Sequence, residues 1–335
     1  MQHGRLLSIK KRRMMNDSYV LIVSTICDVA SDDIVRRLTK RGIALKRINT
    51  EDLPFSRTFT YRPARSFGSG WLTLDGEPLP VPAAVWYRRL RTPSKPPEME
   101  DGIFNFCIQE TRAALLGDIM GLPTRWMSHP AAVWQSEFKP FQLSLAARLG
   151  FPIPPTVVTN DPTAIRRAFT EFGAMVVKPS RTGYVSHGDQ DFAVFTSQVL
   201  EEHLEEIESA KWSPSIYQAL IPKRFDVRVT IVGGRIFSAA IDSQLDPMAM
   251  IDWRHTVDAS LPHYPITLPS KMADMLLKMM NELQLSFGAV DLIQTLDDDF
   301  VFLEVNPSGQ WLWLDDKLQL GISDAIAEWL GSHET

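Results

Sequence analysis

Cysteine is nearly missing from this sequence: Cys27 and Cys107 are the only two in 335 residues. Two are too few for a disulfide framework and lack metal-ligand spacing, which points to a reducing, cytoplasmic compartment. None of the histidines shows zinc spacing, so His255 and His263 read as surface or core side chains. No run approaches the roughly 18 consecutive apolar residues of a membrane span. Positive charge is not in excess either. The formal net charge of −5 leaves no basic field to hold a nucleic-acid backbone, so neither a membrane nor a nucleic acid is expected as partner. The start carries Lys10, Lys11, Arg12 and Arg13 but no apolar core or small-residue cleavage site, which excludes an export signal. The expectation is a disordered basic tail over 1–15, or translation beginning at Met14 or Met15. No internal repeat or low-complexity segment is found.

What is present is a chain too long for one core, so two or three packed lobes are expected. The apolar run 19–23 reads as a strand, followed by a helix capped by Ser31-Asp32-Asp33 and ending near Gly42. Strands at 43–48 and 83–87 complete an α/β open-sheet lobe, with one or two hairpins between 59 and 79 and a loop over 93–97. A helix runs over 103–120. A second begins at Lys139-Pro140, where proline suits a first turn, and stops at Gly150. Further on come a strand at 174–177, an acidic helix at 201–208 and a strand at 216–221. Two hairpins follow: 226–231 with 235–241 around Gly233-Gly234, and 288–295 with 300–305 around Asp297-Asp298-Asp299. Helices at 269–283 and 323–330 close the chain. The fold class is α/β with α+β lobes, divided as 1–15, 16–125, 126–215 and 216–335.

Acids inside apolar strands need a reason. With the second hairpin centred on Asp297-Asp298, Asp291 faces Glu304 with Cβ atoms roughly 5 Å apart, and period-two alternation puts Asn306 on the same face. Three oxygen ligands then converge, a set that suits Mg2+ together with substrate phosphates. Lys139 at a helix start and Lys178 at a strand end are flexible point charges fit for phosphate oxygens. The polar segment 179–183 after Lys178 could fold over a nucleotide. Taken singly, such a lysine is a solvated strand end and such an acid pair is bridged by an arginine; the specificity lies in the whole set.

Several segments then resemble one family: Lys139 to Leu143, Gly150 to Thr156, Val177-Lys178-Pro179, Tyr217-Gln218, Asp226-Val227-Arg228-Val229 and Phe302 to Trp311. The chain resembles the ATP-grasp ligases that mature ribosomal peptides, the graspetide or microviridin-type maturases. Gly309-Gln310-Trp311, Val85 to Arg89 and Asp252-Trp253-Arg254 favour that branch over glutathione synthetase, D-alanine ligase or ribosomal-protein glutamate ligase. The resemblance covers nearly everything from Tyr19 onward.

It implies an ATP-grasp fold with an N-terminal pre-ATP-grasp domain, using ATP and Mg2+ on a ribosomal precursor peptide with leader and core. Lys139 and Lys178 would contact phosphates, and Gln218, Ala219, Leu220 and Ile221 would frame adenine mainly through backbone groups. Asp291, Glu304 and Asn306 would hold Mg2+, and Arg228 would sit near the γ-phosphate and acyl-phosphate. Many relatives place an acid after Gln218, where this chain has Ala219, so a side-chain contact there is in doubt. Asp226 shares a face with Arg228 and is either a general base or the group that orients Arg228. Arg88 and Arg89 follow a strand at the carboxyl edge of the first lobe, where they meet either the peptide or surface acids. Arg254 could meet an acidic core-peptide side chain or phosphate, with Trp253 as packing. Asp189 and Asp191 lie in a polar turn between strands where similar enzymes hold the leader. The product would be an ester or amide, and relatives suggest a homodimer. The alternatives are an ATP-grasp ligase for a small amino acid or protein tail, and a nucleotide-binding regulator without catalysis.

Overall fold

The computed structural model describes residues 18–63, 72–181, 183–187, 190–255 and 261–332. The basic tail at 1–15 and Asp189 lie outside these residues, as does the side chain of Asp191. The chain divides into two compact units, one formed by residues up to Pro130 together with those from Gly321 onward, the other by Ala131–Leu320.

In the first unit, β1 (Val20–Ser24) is buried along its whole length, as a strand covered on both faces should be. It pairs in parallel with β2 (Leu45–Asn49) on one side. Three short strands follow in the chain, β3 (Phe59–Tyr61), β4 (Leu72–Leu74) and β5 (Glu77–Leu79), which form their own antiparallel sheet. Next, β6 (Ala84–Tyr87) pairs in parallel with the other side of β1, and β7 (Arg125–Trp126) extends the sheet to the order β2-β1-β6-β7. The first helix, α1 (Val29–Lys40), starts earlier than its sequence suggests, just after Asp28. Ser31 cannot serve as the cap because it is inside the helix and buried, its hydroxyl donating to the Asp28 carboxylate. The long helix α2 is Asp101–Met120. The C-terminal helix, Ile322–Gly331, belongs to this unit. Arg125 holds its end by donating to the carbonyls of Trp329 at 2.6 Å and Ser332 at 2.7 Å, a cation placed where helix carbonyls are unpaired.

The second unit holds two antiparallel sheets. Helix α3 (Pro130–Ser136) leads into α4 (Lys139–Leu149), which ends on Gly150 at φ 82°, the left-handed cap that glycine takes without strain. One sheet has the order β12-β9-β13-β8, from β8 (Thr156–Thr159), β9 (Met175–Lys178), β12 (Ser197–Val199) and β13 (Ser215–Ala219). Helix α5 (Pro162–Phe172) packs Ile165 and Ala168 against Met175, Val199 and Tyr217 of that sheet. Hairpin β10 (Tyr184–His187) and β11 (Gln190–Ala193) aligns Asp191 with Ser186. The acidic segment 201–208 is not an α-helix but parts of two 3-10 turns, Glu201–Leu204 and Ile207–Trp212. Five glutamates and a single buried residue, Ile207, give it like-charge repulsion and no apolar stripe to hold a longer helix.

The other sheet runs β16-β15-β14-β17-β18, built from β14 (Lys223–Val232), β15 (Arg235–Ile241), β16 (His263–Ile266), β17 (Phe287–Thr295) and β18 (Phe300–Asn306). Gly233 and Gly234 both have positive φ, 53° and 89°, as the tight primed turn between β14 and β15 requires. Helices α6 (Ser270–Glu282) and α7 (Leu312–Leu318) complete the unit.

Candidate active site

Both walls of the candidate site belong to the second unit. A cleft is lined on one side by Val176, Lys178, Gln218 and the 219–221 linker, and on the other by Asp226, Asp291, Leu303 and Glu304.

On the sheet of β14, β17 and β18, Asp291 stands opposite Glu304. The pairing runs Leu292 with Phe302, then Asp291 with Glu304, so Leu303 is an extra residue bulged from β18. The turn is therefore centred on Asp297, half a position earlier than the sequence suggests, and the bulge restores the alignment of the two acids. Asn306 joins them, donating from Nδ2 to Asp291 Oδ2 at 3.0 Å and to Glu304 Oε1 at 3.2 Å.

Cations surround this group. Lys139 Nζ lies 2.9 Å from Glu304 Oε2. Arg228 Nη1 donates to both Asp291 oxygens at 2.8 and 2.9 Å, and its Nη2 donates to Gln310 O at 3.2 Å. A Cβ on Gly309 would come within 2.4 Å of Ala289 Cβ and 2.8 Å of Arg228 Nη2, so only glycine lets the turn approach this closely. Lys178 ends β9 with 6% of its surface exposed. Arg254 is clamped by Asp252, with Nε to Oδ1 at 2.8 Å and Nη2 to Oδ2 at 2.6 Å, and Asp252 also accepts from the Thr196 amide. Trp253 packs on Trp313 with ring centroids 5.1 Å apart.

This crowding sets the protonation states. Burial alone would raise the Glu304 carboxyl, but Lys139, Lys178 and Arg254 outweigh it and hold it at about 2. Burial lowers Lys178 to about 8, helped by Lys139 and Arg254 and opposed by Glu304 and Asp291. Asp291 is raised, by burial and then by the neighbouring Glu304, against the pull of Arg228. One carboxylate held ionised beside one pushed upward is the usual outcome for two acids sharing a site.

Asp226 does not orient Arg228. Its carboxylate accepts from Lys223 Nζ at 2.8 and 2.7 Å and from the Ser243 hydroxyl at 2.6 Å, while Asp291 and Gln310 hold Arg228. Burial raises Asp226 despite Lys223. Gln218 is buried and donates to Thr156 Oγ1 at 2.8 Å. The amides of Ala219 and Leu220 donate to Pro155 O and Ala174 O. In the first unit Arg88 is not a surface group: it is 1% exposed, with Nε 3.6 Å from Asp28 and its guanidinium over the Trp86 ring. Arg89 is half-buried.

Several participants had escaped the sequence pattern. Lys223 and Ser243 bond Asp226 from β14 itself and from the segment beyond β15. Gln142 on α4 bonds β18 backbone across 163 positions. Its one local signal is a polar residue between Phe141 and Leu143 at a buried helix position.

Among the described residues no three His, Cys, Asp or Glu side chains form a metal cluster. The donor set here is two carboxylates and an amide, hard oxygens that fit Mg2+ in company with phosphates better than a soft metal.

Two antiparallel sheets facing a cleft, with Lys178 on one wall and the paired acids Asp291 and Glu304 on the other, are the arrangement of an ATP-grasp ligase. Residues 19–133 match the family model of the MvdD pre-ATP grasp domain. The macrocyclase MdnC of Microcystis aeruginosa MRC, solved with precursor peptide MdnA, is 32% identical with a TM-score of 0.83, the match covering 93% of this chain and 98% of that one. A RiPP-associated ATP-grasp ligase of Chryseobacterium gregarium, solved with ADP and a leader and core peptide, is 26% identical with a TM-score of 0.83 over 93% and 96% of the two chains. Macrocyclase MdnB of Microcystis aeruginosa MRC is 29% identical with a TM-score of 0.75 over 93% and 99%. No curated protein matches the chain. The chain belongs to the microviridin-type ATP-grasp macrocyclases of ribosomal peptides.

Proposed function

We propose that this enzyme closes rings in a ribosomal precursor peptide, joining Asp or Glu side-chain carboxylates to Thr or Ser hydroxyls as esters or to Lys amines as amides. The observation that carries this reading is the Asp291–Glu304–Asn306 group, with Glu304 buried and the other two half-buried, ringed by Lys139, Lys178, Arg228 and Arg254 at the cleft. Such a gathering of cations around two acids suits a polyphosphate with its metal.

ATP would lie with its base against the 219–221 linker. Because the Ala219 and Leu220 amides are engaged, backbone recognition falls to the linker carbonyls and the Ile221 amide. Asp291, Glu304 and Asn306 would hold Mg2+, which supplies neutralisation of the phosphate oxygens. Lys139 and Lys178 add charge to the same phosphates, and Arg228 faces the transferring group. A substrate carboxylate oxygen attacks the γ-phosphorus, the bond to the β-γ bridging oxygen breaks, and ADP leaves. Arg254, fixed by Asp252, would hold the acidic side chain. The hydroxyl or amine then attacks the acyl carbonyl, phosphate departs, and the nucleophile's proton passes to a base. Asp226 is our candidate base, lining the cleft and lifted by burial. In the first unit we assign Arg89 to peptide contact and Arg88 to holding that strand end through Asp28. Asp189 and Asp191 would receive the leader, and a homodimer is the expected assembly.

The test is intact-mass analysis of a candidate precursor, rich in Thr and Asp or Glu near its end, after incubation with enzyme and Mg-ATP. Loss of one water per ring, absent in Lys178→Ala and Glu304→Ala, is the expected result. ATP binding with no mass change would move the assignment to another carboxylate substrate.

A further inference from the structure

Strand β18 is the edge of its sheet, and an edge strand presents backbone donors and acceptors with no neighbour. Two groups outside the sheet fill this edge. The Phe302 amide donates to Pro152 O at 2.8 Å. Past the Leu303 bulge the next outward residue is Val305, and both of its backbone groups are taken by one side chain. Val305 N donates to Gln142 Oε1 at 2.7 Å, and Gln142 Nε2 donates to Val305 O at 2.8 Å and also to Ser136 O. Gln142 is 2% exposed, so these bonds have no water to compete with them.

Val305 sits between Glu304 and Asn306. Lys139, which meets Glu304, is three residues before Gln142 and on the same face of α4. One helix turn thus delivers a cation to the Glu304 carboxylate and an amide to the backbone beside it. We propose that Gln142 is a positioning residue: its amide stands in for a missing neighbour strand and fixes Glu304 and Asn306 against Lys139 for the metal–nucleotide complex. The proposal rests on the reading of those residues as the Mg2+ and phosphate site.

A primary amide suits this place because it offers one acceptor and two donors in a plane. An ionised carboxylate has the same shape but no donor, and would face the carbonyls of Val305 and Ser136. A protonated carboxyl recovers one donor, and burial beside carbonyls raises the pH at which it protonates. Glu at this position is therefore a reversible version of the defect, and Leu a permanent one.

The experiment measures ADP affinity by calorimetry, with and without Mg2+, for the parent, Gln142→Glu and Gln142→Leu at pH 8 and pH 5.5, with melting temperatures for each. The expected result is a loss of roughly tenfold or more in Mg-dependent ADP affinity for both variants at pH 8, the range for supports of metal ligands. Metal-free ADP affinity should stay near the parent's. At pH 5.5 the deficit of Gln142→Glu relative to the parent should shrink, and that of Gln142→Leu should not. Mg-dependent affinity equal to the parent's would overturn the proposal. So would parallel losses with and without Mg2+ that do not recover at low pH, since those describe general damage to the fold. Should Leu prevent folding, the two pH values for Gln142→Glu decide alone. A parent that binds ADP with no Mg2+ dependence would instead defeat the underlying site assignment, and the proposal with it.

Discussion

At the scale of single residues, the site depends on how closely a few groups approach. Gly309 shows this best, because its missing Cβ leaves room for Arg228 Nη2 and Ala289 Cβ at once. Gly309→Ala should cost about 1–3 kcal/mol, the range for overpacking a tight core, and should lower the turnover of peptide more than ADP affinity. Thermal melting and ring-forming rate measure the two effects. Adding Ala289→Gly should recover much of the stability, and no recovery would refute the clash as the cause. Asp291 and Glu304 were legible in the sequence because an acid in an apolar strand stands out against its neighbours. Lys139 at a helix start and Lys178 at a strand end stood out as point charges to go with those acids, whereas Arg228 gained meaning only through the family pattern. Gln142 and the Lys223–Asp226–Ser243 group were not legible, because what they satisfy lies in other segments and depends on a register that no local pattern states.

At the scale of elements, helix α2 carries an unusual group. Asp118 is 9% exposed in the last turn, where the unpaired carbonyls already make the helix end negative. Burial raises its carboxyl to about 6. The sign follows directly: a folded value above the unfolded one favours the protonated native state, so stability falls as pH rises through that range and stays low above it. Asp118→Asn should therefore raise the melting temperature at pH 7.5 and leave it nearly unchanged at pH 4. Calorimetry at the two values checks this, and an equal gain at both would exclude charge burial as the cause. Elements with strong local punctuation were legible, such as α4 between Lys139-Pro140 and Gly150, and the hairpin at Gly233-Gly234. The same punctuation marks α5, where Asp161 accepts from the Thr163 amide, Pro162 fills the first turn and Ile165, Ala168, Phe169 and Phe172 line one apolar face, so this helix too is legible in its sequence. Over 201–208, helix-favouring glutamates overstate what forms, because propensity without an apolar face does not hold a helix.

At the scale of the whole molecule, the proposed nucleotide site lies within one unit, Ala131–Leu320. Mg-ADP at about 100 times its dissociation constant should stabilise that unit by roughly 2.7 kcal/mol. Hydrogen exchange should then slow in β9, β13, β14, β17 and β18, with much less change in β1, β2 and β6. Protection concentrated in the first unit would contradict the site assignment. No helix of the described residues is long and apolar enough to cross a membrane. That the last helix returns to the first unit was not legible in the sequence, which assigned it to the lobe 216–335, since a contact such as Arg125 with Trp329 spans some 200 positions. The Leu303 bulge separates two tasks along β18. The ladder that aligns Asp291 with Glu304 does not use Leu303 as a paired residue, yet that side chain lines the cleft. Position 303 can therefore vary in size and shape while the acids keep their alignment, so the contour of the cleft is free to change over evolutionary time without disturbing the ladder that holds the acids.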